Sequence, residues 1–338
     1  MRPIYPRHHS SNIIHMSISE TDHFNGTHFF NPEPGHPNPV HRRGGLLRLL
    51  RARMSRDPAA WSTWPDRIEN KPYPPPNPSQ PSVTWIGHSS FLLCLEGLTV
   101  LTDPVFSERC SPLRFAGPKR VRAPGLAIEA LPRIDLILLS HNHYDHMDIP
   151  SLQRIRNRFP AVHIVTSLGN AAFLKRQRLH GATELDWWQT TTIHGAHITA
   201  TPARHFAART LWDRNETLWA GFMLNHHGRK IYFAGDSGYT KFFNEIYHRL
   251  GPPDLALLPI GAYEPREMMQ SAHVNPAEAV QAFKDLHASR AIGMHFGTFQ
   301  LTAEAIDAPE KELALALAQA GISPEAFFRL DVGETVAL

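Results

Sequence analysis

Residues 134–139 form an almost continuous apolar run that is interrupted by a single aspartate. This composition is typical of a strand buried on both faces of a sheet, whereas a strand with one wet face alternates apolar and polar residues. Such a strand needs a cover of helices or of a second sheet on each side. The run therefore restricts the chain to a layered fold with a sheet in its interior.

Other predicted strands and helices alternate along the chain. Strand-like runs occur at 83–86, 91–95, 99–102, 162–166, 197–201, 254–260 and 291–294, and 218–225 with 230–234 predicts an antiparallel hairpin. Helical patterns occur at 151–159, 276–288 and 310–320, and Asn275, Pro276 and Glu278 form a strong helix start. Interleaved elements of this kind predict an α/β fold with a mixed sheet.

The first 81 of the 338 residues have a different character. We predict an irregular leader at 1–40, then a basic helix and a Pro-rich connector at 41–81, and the folded body at 82–338. Within 41–56, leucines recur at helical spacing among arginines. This helix either rests on anionic lipid or docks on the body with its arginines in water. Residues 71–81 contain six prolines and predict an extended connector.

Composition narrows the function classes. A formal net charge of +3 does not favour nucleic-acid binding over the whole surface. Two cysteines cannot form a disulfide framework, and no secretory signal or run of about 20 apolar residues occurs, which favours a cytoplasmic protein. Seven of the 22 histidines lie before residue 42, and we expect most of these at the surface. Met16 is an alternative start site.

Four potential metal ligands follow the buried run directly: His141, His143, Asp145 and His146. In an extended segment, residues i and i+2 point to the same side, so His141 and His143 can bind one ion together. Asp145 and His146 follow as the chain turns, and can face a second ion. The ordinary alternative is an exposed polar loop. The position at a strand end, where α/β proteins place their sites, favours the metal interpretation.

Three more candidate ligands follow later predicted strands. His205 comes after 197–201, Asp236 after 230–234 and His295 after 291–294. Singly, each has an ordinary alternative as a pocket wall, a turn former or a core histidine. Together with the first four they make a set large enough for two metal ions, since zinc usually takes about three protein ligands in a catalytic site.

In this order the seven residues resemble the ligand pattern of the metallo-β-lactamase superfamily. The resemblance implies a four-layer αβ/βα sandwich at 82–338 with an irregular N-terminal extension. It implies that His141, His143 and His205 hold one zinc ion, that Asp145, His146 and His295 hold the second, and that Asp236 bridges them. Iron or manganese are alternative metals. β-Lactamases of this superfamily usually carry a cysteine in the second site, so antibiotic hydrolysis is not expected.

Several further blocks are similar to one branch of this superfamily, the N-acylphosphatidylethanolamine phospholipase D family. The blocks lie at residues 84–90, 101–106, 117–120, 202–205, 209–212, 258–266 and 295–299. The resemblance implies hydrolysis of N-acylphosphatidylethanolamine to N-acylethanolamine and phosphatidic acid by a hydroxide that bridges two zinc ions. It further implies that Asp145 and Asp236 are catalytic, with His273 as proton donor to the leaving oxygen.

Other residues receive supporting roles. We predict substrate contacts for Tyr263, Glu264, Arg266 and His273, and we predict that His88 and Asp103 orient the ligand histidines. For His88, Asp103 and His273 the alternatives are turn chemistry or packing. Aromatic residues at this density are more often core than channel, but six are candidate lining residues of an apolar channel: Phe206, Trp212, Trp219, Phe222, Phe242 and Phe243.

Two alternative functions remain at this stage. One is another enzyme on the same metal site, either a lactonase or a different phosphodiesterase. The other is a non-catalytic metal-binding scaffold, against which the complete set of seven ligands argues. As partners we expect a phospholipid substrate and no nucleic acid. Peripheral membrane contact through 41–56 and a homodimer are both left open.

Overall fold

The computed structural model describes residues 21–33 and 62–338, and the described part is built on two seven-stranded sheets. The basic helix predicted at 41–56 lies outside the described residues. The first sheet has the strand order β14-β1-β2-β3-β4-β5-β6. Its strands are β1 Ser82–Gly87, β2 Ser90–Leu95, β3 Leu98–Thr102, β4 Leu136–Leu139, β5 His163–Ser167, β6 Thr183–Leu185 and β14 Thr335–Ala337.

The second sheet has the order β13-β12-β11-β10-β9-β8-β7. Its strands are β7 Thr190–Ile193, β8 Ala196–Thr201, β9 Gly221–His226, β10 Arg229–Phe233, β11 Leu255–Pro259, β12 Arg290–Met294 and β13 Phe327–Phe328. Both sheets are mixed, since β3 to β6 and β10 to β13 run parallel while the remaining neighbours are antiparallel. The mixed sheets confirm the predicted α/β class.

Six helices accompany the sheets in the described residues: α1 Ile149–Arg158, α2 Asn170–Arg176, α3 Phe242–Leu250, α4 Arg266–Met269, α5 Pro276–Asp285 and α6 Ala308–Ala320. Strand β4 shows how the layers are built. Leu136 and Leu138 point into the core shared with the second sheet, whereas Ile137 and Leu139 pack with residues of α1 and α2. On the far side, α3, α5 and α6 cover the second sheet. This is the four-layer sandwich that the resemblance implies.

Local sequence chemistry accounts for the best-predicted elements. Helix α5 starts with a capping box, in which the Asn275 side chain accepts from the Glu278 amide while the Glu278 carboxylate accepts from the Asn275 amide. The β9–β10 hairpin turns at His227 and Gly228, both at positive φ, as a two-residue hairpin turn requires. Helices α2 and α3 and strands β6, β7 and β14 were not predicted, because they are short and depend on tertiary packing.

The N-terminal segment 21–33 packs on the second sheet's side of the body. Phe24 and Phe29 enter the core, and the prediction of a solvated surface histidine is wrong for His23, which is buried. Its ring stacks on Trp187 at 4.3 Å and its Nε2 lies 2.7 Å from the Asp186 carboxylate. Where the chain is described, it contains no helix that is both long and apolar enough to cross a membrane.

Candidate metal centre

The seven predicted ligands meet at one edge of the sandwich, where strands of both sheets end. His141, His143, Asp145 and His146 follow β4 of the first sheet. The second sheet supplies the other three at the ends of β8, β10 and β12: His205, Asp236 and His295. Gly235 makes the approach of Asp236 feasible, because a Cβ there would lie 2.7 Å from the Ser140 Cβ, and its φ is +60°.

The first cluster consists of three imidazoles whose nitrogens converge. His141 Nε2 lies 2.8 Å from His143 Nδ1, which in turn lies 3.2 Å from His205 Nε2. His141 and His205 are almost fully buried and the His143 ring is half-buried. The three atoms are close enough to bind one ion together.

The second cluster combines a carboxylate with two further imidazoles. Asp145 Oδ2 lies 3.3 Å from both His146 Nε2 and His295 Nε2. His88 Nε2 approaches the same oxygen at 3.0 Å, so His88 contacts the candidate carboxylate ligand, whereas the sequence predicted that it orients ligand histidines. His88 also packs against His295, with ring centroids 4.1 Å apart.

Asp236 lies between the two clusters. Its Oδ2 is 3.1 Å from the Nε2 atoms of both His146 and His295, 3.7 Å from His205 Nε2 and 4.0 Å from His141 Nε2. One carboxylate oxygen is thus in reach of the imidazoles of both clusters, which is the arrangement that a bridging ligand requires.

Hydrogen bonds on the far side of the rings fix which nitrogen faces the centre. Asp103 Oδ2 accepts from His146 Nδ1 at 2.7 Å and from the Ser140 hydroxyl at 2.5 Å. Because that hydroxyl donates to Asp103, its oxygen accepts from His141 Nδ1 at 2.8 Å. His205 Nδ1 donates to the Ala272 carbonyl at 2.9 Å. In all three histidines Nδ1 is therefore engaged and Nε2 is the nitrogen that faces the centre.

The two ionised carboxylates of the centre favour the binding of a cation. Burial would raise the pKa values of Asp145 and Asp236, but His146 and neighbouring imidazoles outweigh it and hold both pKa values well below the usual range. Burial lowers the pKa values of His143 and His205 to about 3, so these rings are neutral at pH 7. For His146 and His295 burial also lowers the pKa, but the carboxylates of Asp236 and Asp145 outweigh it and raise the pKa of His295 to about 9 and that of His146 well above its usual range. A metal ion would displace the protons of these two rings. Neutral imidazoles and ionised carboxylates are the forms that bind metal ions.

The residues predicted to contact substrate lie on the β11–α5 connection. His273 is buried, and its Nδ1 lies 3.9 Å from Asp236 Oδ2 without a hydrogen-bond partner. Tyr263 is 1% exposed. Arg266 donates to the His273 carbonyl and to the carboxylate of Glu278, so it supports the segment that carries His273. Glu264 accepts from the Arg266 amide.

Of the six candidate lining residues of a channel, four lie in the hydrophobic core, which confirms the ordinary alternative for them: Trp219, Phe222, Phe242 and Phe243. Phe206 is half-buried, and its ring packs against those of His143 and His205 with centroids 4.5 and 4.8 Å away. Trp212 is 85% exposed. An aromatic residue on a short predicted strand can face the core or a pocket, and the sequence pattern does not distinguish the two.

Two supporting residues were missed by the site prediction. Ser140 relays the hydrogen bond from His141 to Asp103, as described above. Arg209 donates to the carbonyls of Asn142 and Met147 at 2.7 and 2.8 Å, and its guanidinium lies over the Tyr144 ring at 3.9 Å. It therefore braces the loop that carries four of the candidate ligands. The sequence carried a signal for both, since Ser140 is adjacent to His141 and Arg209 begins one of the blocks similar to the family, but neither signal indicated the role.

The donor set fits two metal ions. Five imidazoles and two carboxylates turn their ligating atoms toward one buried volume, and two groups of them are compact enough to hold an ion each. His146 Nε2 and Asp236 Oδ1 are buried there without a hydrogen-bond partner, which is costly unless another group satisfies them. A metal ion bound among these residues would satisfy both atoms.

A family model described as a beta-lactamase superfamily domain matches residues 99–296, which include every candidate ligand. The chain belongs to the beta-lactamase superfamily. Two solved structures share the fold at low identity. They are a metallo hydrolase from Ignicoccus hospitalis (22% identity, TM-score 0.57, 76% of this chain and 97% of the other) and a possible metal-dependent hydrolase from Veillonella parvula (16%, 0.61, 77% and 100%).

Two curated relatives in this superfamily are more similar in sequence. The N-acyl-phosphatidylethanolamine-hydrolyzing phospholipase D 1 of Caenorhabditis elegans is 39% identical over 263 residues, which are 74% of each chain. The mitochondrial N-acyl-phosphatidylethanolamine-hydrolyzing phospholipase D of Saccharomyces cerevisiae is 38% identical over 259 residues, 75% of this chain and 55% of the yeast protein. Family, relatives and fold together support a metal-dependent hydrolase.

Proposed function

We propose that this protein is a dizinc phosphodiesterase that hydrolyses N-acylphosphatidylethanolamine to N-acylethanolamine and phosphatidic acid. The observation that carries the two-metal part is the position of Asp236, whose Oδ2 lies within 4.0 Å of imidazole nitrogens from both clusters. The similarity to two phospholipases of this specificity supports the substrate.

In this proposal His141, His143 and His205 hold one zinc ion, and Asp145, His146 and His295 hold the other, with Asp236 shared. Two such ions supply a water of lowered pKa and neutralise the charge that develops on phosphoryl oxygens. The protein's own contribution is orientation. Asp103, Ser140 and the Ala272 carbonyl fix three of the rings through their Nδ1 atoms.

His273 is proposed to stabilise the oxygen that leaves phosphorus. Its ring is buried beside Asp236 and its Nδ1 has no partner within the described protein, so the edge of the ring that carries Nδ1 is available to a ligand. Burial lowers its pKa to about 3, so the ring donates a hydrogen bond as a neutral imidazole rather than as an imidazolium. Arg266 holds the His273 carbonyl and thereby sets the position of the ring.

Product analysis tests the proposal directly. Purified protein with its native metal is incubated with N-acylphosphatidylethanolamine micelles, beside an Asp145→Asn variant, and the lipids are analysed by mass spectrometry. N-acylethanolamine and phosphatidic acid are expected with the wild type only. If the wild type binds two equivalents of zinc and yields neither product, the lipid assignment is wrong while the dinuclear centre stands. Phosphorylated lactones and other phosphodiesters would then be the substrates to try.

A further inference from the structure

The candidate ligand His205 lies on a long connection between two strands of the second sheet. This β8–β9 connection, residues 202–220, contains no helix or strand of its own. Side chains on loops are held less precisely than side chains on strands or helices, unless other parts of the chain support the loop. The position of His205 therefore depends on contacts from outside the connection.

A residue of the N-terminal segment 21–33 holds the His205 backbone. The side-chain amide of Asn31 donates to the His205 carbonyl, with 2.9 Å between Nδ2 and the oxygen. The two residues are 174 positions apart in sequence, so only the tertiary fold brings them together. His205 is buried, and loss of the donor to a buried carbonyl is costly. Asn31 is thus a structural partner of the ligand residue itself.

The N-terminal segment also contacts the β8–β9 connection at a second point. The Phe29 amide donates to the Asn215 carbonyl at 2.8 Å. Asn215 is joined to Ala207 by two hydrogen bonds of 2.7 and 3.2 Å, and Ala207 follows His205 by two positions. The segment is itself anchored, because Phe24 and Phe29 lie in the core with ring centroids 4.6 Å apart. It can therefore act as a fixed support for the connection.

The His205 side chain is held independently of its backbone. Its Nδ1 donates to the Ala272 carbonyl at 2.9 Å, and its Nε2 lies 3.2 Å from His143 Nδ1 in the first cluster. Asn31 and Ala272 thus fix the two ends of the residue, the carbonyl and the ring. Distances from metal ions to their ligands vary by only about 0.2 Å, so a small backbone displacement would matter.

We propose that Asn31 is a positioning residue of the metal centre, which holds the His205 backbone and thereby places Nε2 for metal binding. The N-terminal segment is then part of the centre, although it lies outside residues 99–296, which match the family model. The proposal rests on the proposed function only because it takes His205 as a metal ligand. It does not depend on the identity of the substrate.

Zinc affinity tests the proposal. The full-length protein, freed of metal, competes with a chromophoric chelator for zinc, and the affinities of the two equivalents are measured. Asn31→Ala should weaken the binding of one equivalent by about tenfold, the lower end of the range for residues that hold a ligand in place. The second equivalent should be affected less, because the ligands assigned to the second ion do not include His205.

Asn70→Ala is the matched control. Asn70 is half-buried like Asn31, its Nδ2 donates to the Ala123 carbonyl at 2.8 Å, and neither asparagine has a described partner for its Oδ1. Its hydrogen bond involves no candidate ligand. Asn70→Ala should therefore bind both equivalents of zinc like the wild type, while urea unfolding of the metal-free proteins shows that both variants are folded.

Cobalt(II) provides a second readout, because its visible absorption depends on the geometry of its ligands. Asn31→Ala should change the absorption of one bound cobalt ion, and Asn70→Ala should not, since a loss of stability alone leaves the ligand geometry intact. Asn31→Gln keeps an amide donor but places it one methylene farther from the backbone. Its zinc affinity should lie between those of Asn31→Ala and the wild type, and it can be compared with the wild type alone if Asn31→Ala does not fold.

Two results would overturn the role of Asn31. One is a folded Asn31→Ala protein with wild-type zinc affinity and an unchanged cobalt spectrum, and lipid hydrolysis by the wild type would then leave the proposed function standing. The other is an equal loss of zinc affinity in Asn31→Ala and Asn70→Ala. If Asn31→Ala alone loses affinity but the wild type cleaves no phosphodiester, the proposed function fails and the role of Asn31 stands. A wild type that binds no zinc would overturn both.

Discussion

At the scale of single residues, the candidate metal centre depends on side chains that orient the candidate ligands and are not ligands themselves. Asp103 accepts hydrogen bonds from His146 and Ser140, and through Ser140 it also orients His141. It adopts a left-handed backbone conformation with φ +31°, as do His88 and His295 at +55° and +63°. Sparsely populated conformations of this kind persist where the surrounding structure holds them, and they concentrate at functional sites.

We expect Asp103→Asn to weaken zinc binding by about 10- to 100-fold, because an amide has a single acceptor oxygen. The carboxylate accepts from His146 and the Ser140 hydroxyl at Oδ2 and from the Ser140 amide at Oδ1, and the NH₂ group of asparagine would face one of these donors. Isothermal titration of the metal-free protein with zinc measures the loss. Asp135→Asn is the matched control. Asp135 is also buried and accepts from the Thr99 amide, but it lies at the opposite end of β4. Equal zinc affinity in Asp103→Asn and the wild type would contradict the orienting role.

His273→Gln should lower kcat by about 100-fold or more while both metal ions remain bound, because the ring is proposed to act on the substrate and not on the metal. The pKa of His273, lowered to about 3 by burial, leaves the ring neutral from pH 6 to pH 8. The ratio of wild-type to variant rate should therefore be constant across that range. A ratio that falls as pH rises through 7 would show that the imidazolium is the active form. Metal content by mass spectrometry is the accompanying control.

At the scale of elements, the start of α5 holds the segment in front of it. Asn275→Ala removes the side chain that accepts from the Glu278 amide and should reduce the free energy of unfolding by about 1 kcal/mol. Asp307 has the same position at the start of α6 but makes no capping hydrogen bond, so Asp307→Ala should change stability little. Urea unfolding compares the two. Equal losses would show that the capping box contributes nothing specific.

The N-terminal segment 21–33 should be attached more firmly at low pH. Burial lowers the pKa of His23, but the carboxylates of Asp186 and Asp22 outweigh it and leave the pKa raised. A raised pKa in the folded state means that the stabilisation is complete below the ordinary value of about 6.5 and is lost as pH rises through the folded pKa. The free energy of unfolding of the wild type should therefore exceed that of His23→Gln, and this difference should be larger at pH 6 than at pH 8.

The control for this prediction is His28→Gln, since His28 is exposed on the same segment and has no carboxylate partner among the described residues. Its difference from the wild type should be independent of pH. A pH-independent difference for His23→Gln as well would contradict the ion pair with Asp186. Urea unfolding at both pH values provides the measurement.

The elements show what the sequence could predict and what it could not. The runs at 83–86, 91–95 and 291–294 were predicted because their apolar composition leaves few alternatives, and α5 because its capping residues act locally. Strands β6 and β14 consist of three residues each and form only because a neighbouring strand accepts them. The ligand residues were predicted from strand ends, whereas Arg209 was missed because it acts through backbone carbonyls that sequence does not reveal.

At the scale of the whole molecule, the centre joins the two sheets. His141 to His146 come from the first sheet, and His205, Asp236 and His295 come from the second. Ions held by both sets would cross-link the halves of the sandwich in the folded state only. A ligand that binds the native and not the unfolded state stabilises the native state in proportion to the logarithm of its free concentration.

Removal of metal should therefore lower the Tm by several degrees, and two equivalents of zinc should restore it. His226→Gln is the matched variant, because the His226 Nε2 contacts the Glu96 carbonyl at 2.8 Å and also joins the two sheets, but at a point away from the centre. The Tm of His226→Gln should be lower than that of the wild type, and chelator should lower it by as much as it lowers the wild-type Tm. In Asp236→Asn, which weakens the shared ligand, chelator should lower the Tm by less than in the wild type. Calorimetry with and without chelator distinguishes these cases, and an equal chelator response in Asp236→Asn and the wild type would mean that Asp236 does not hold the metal.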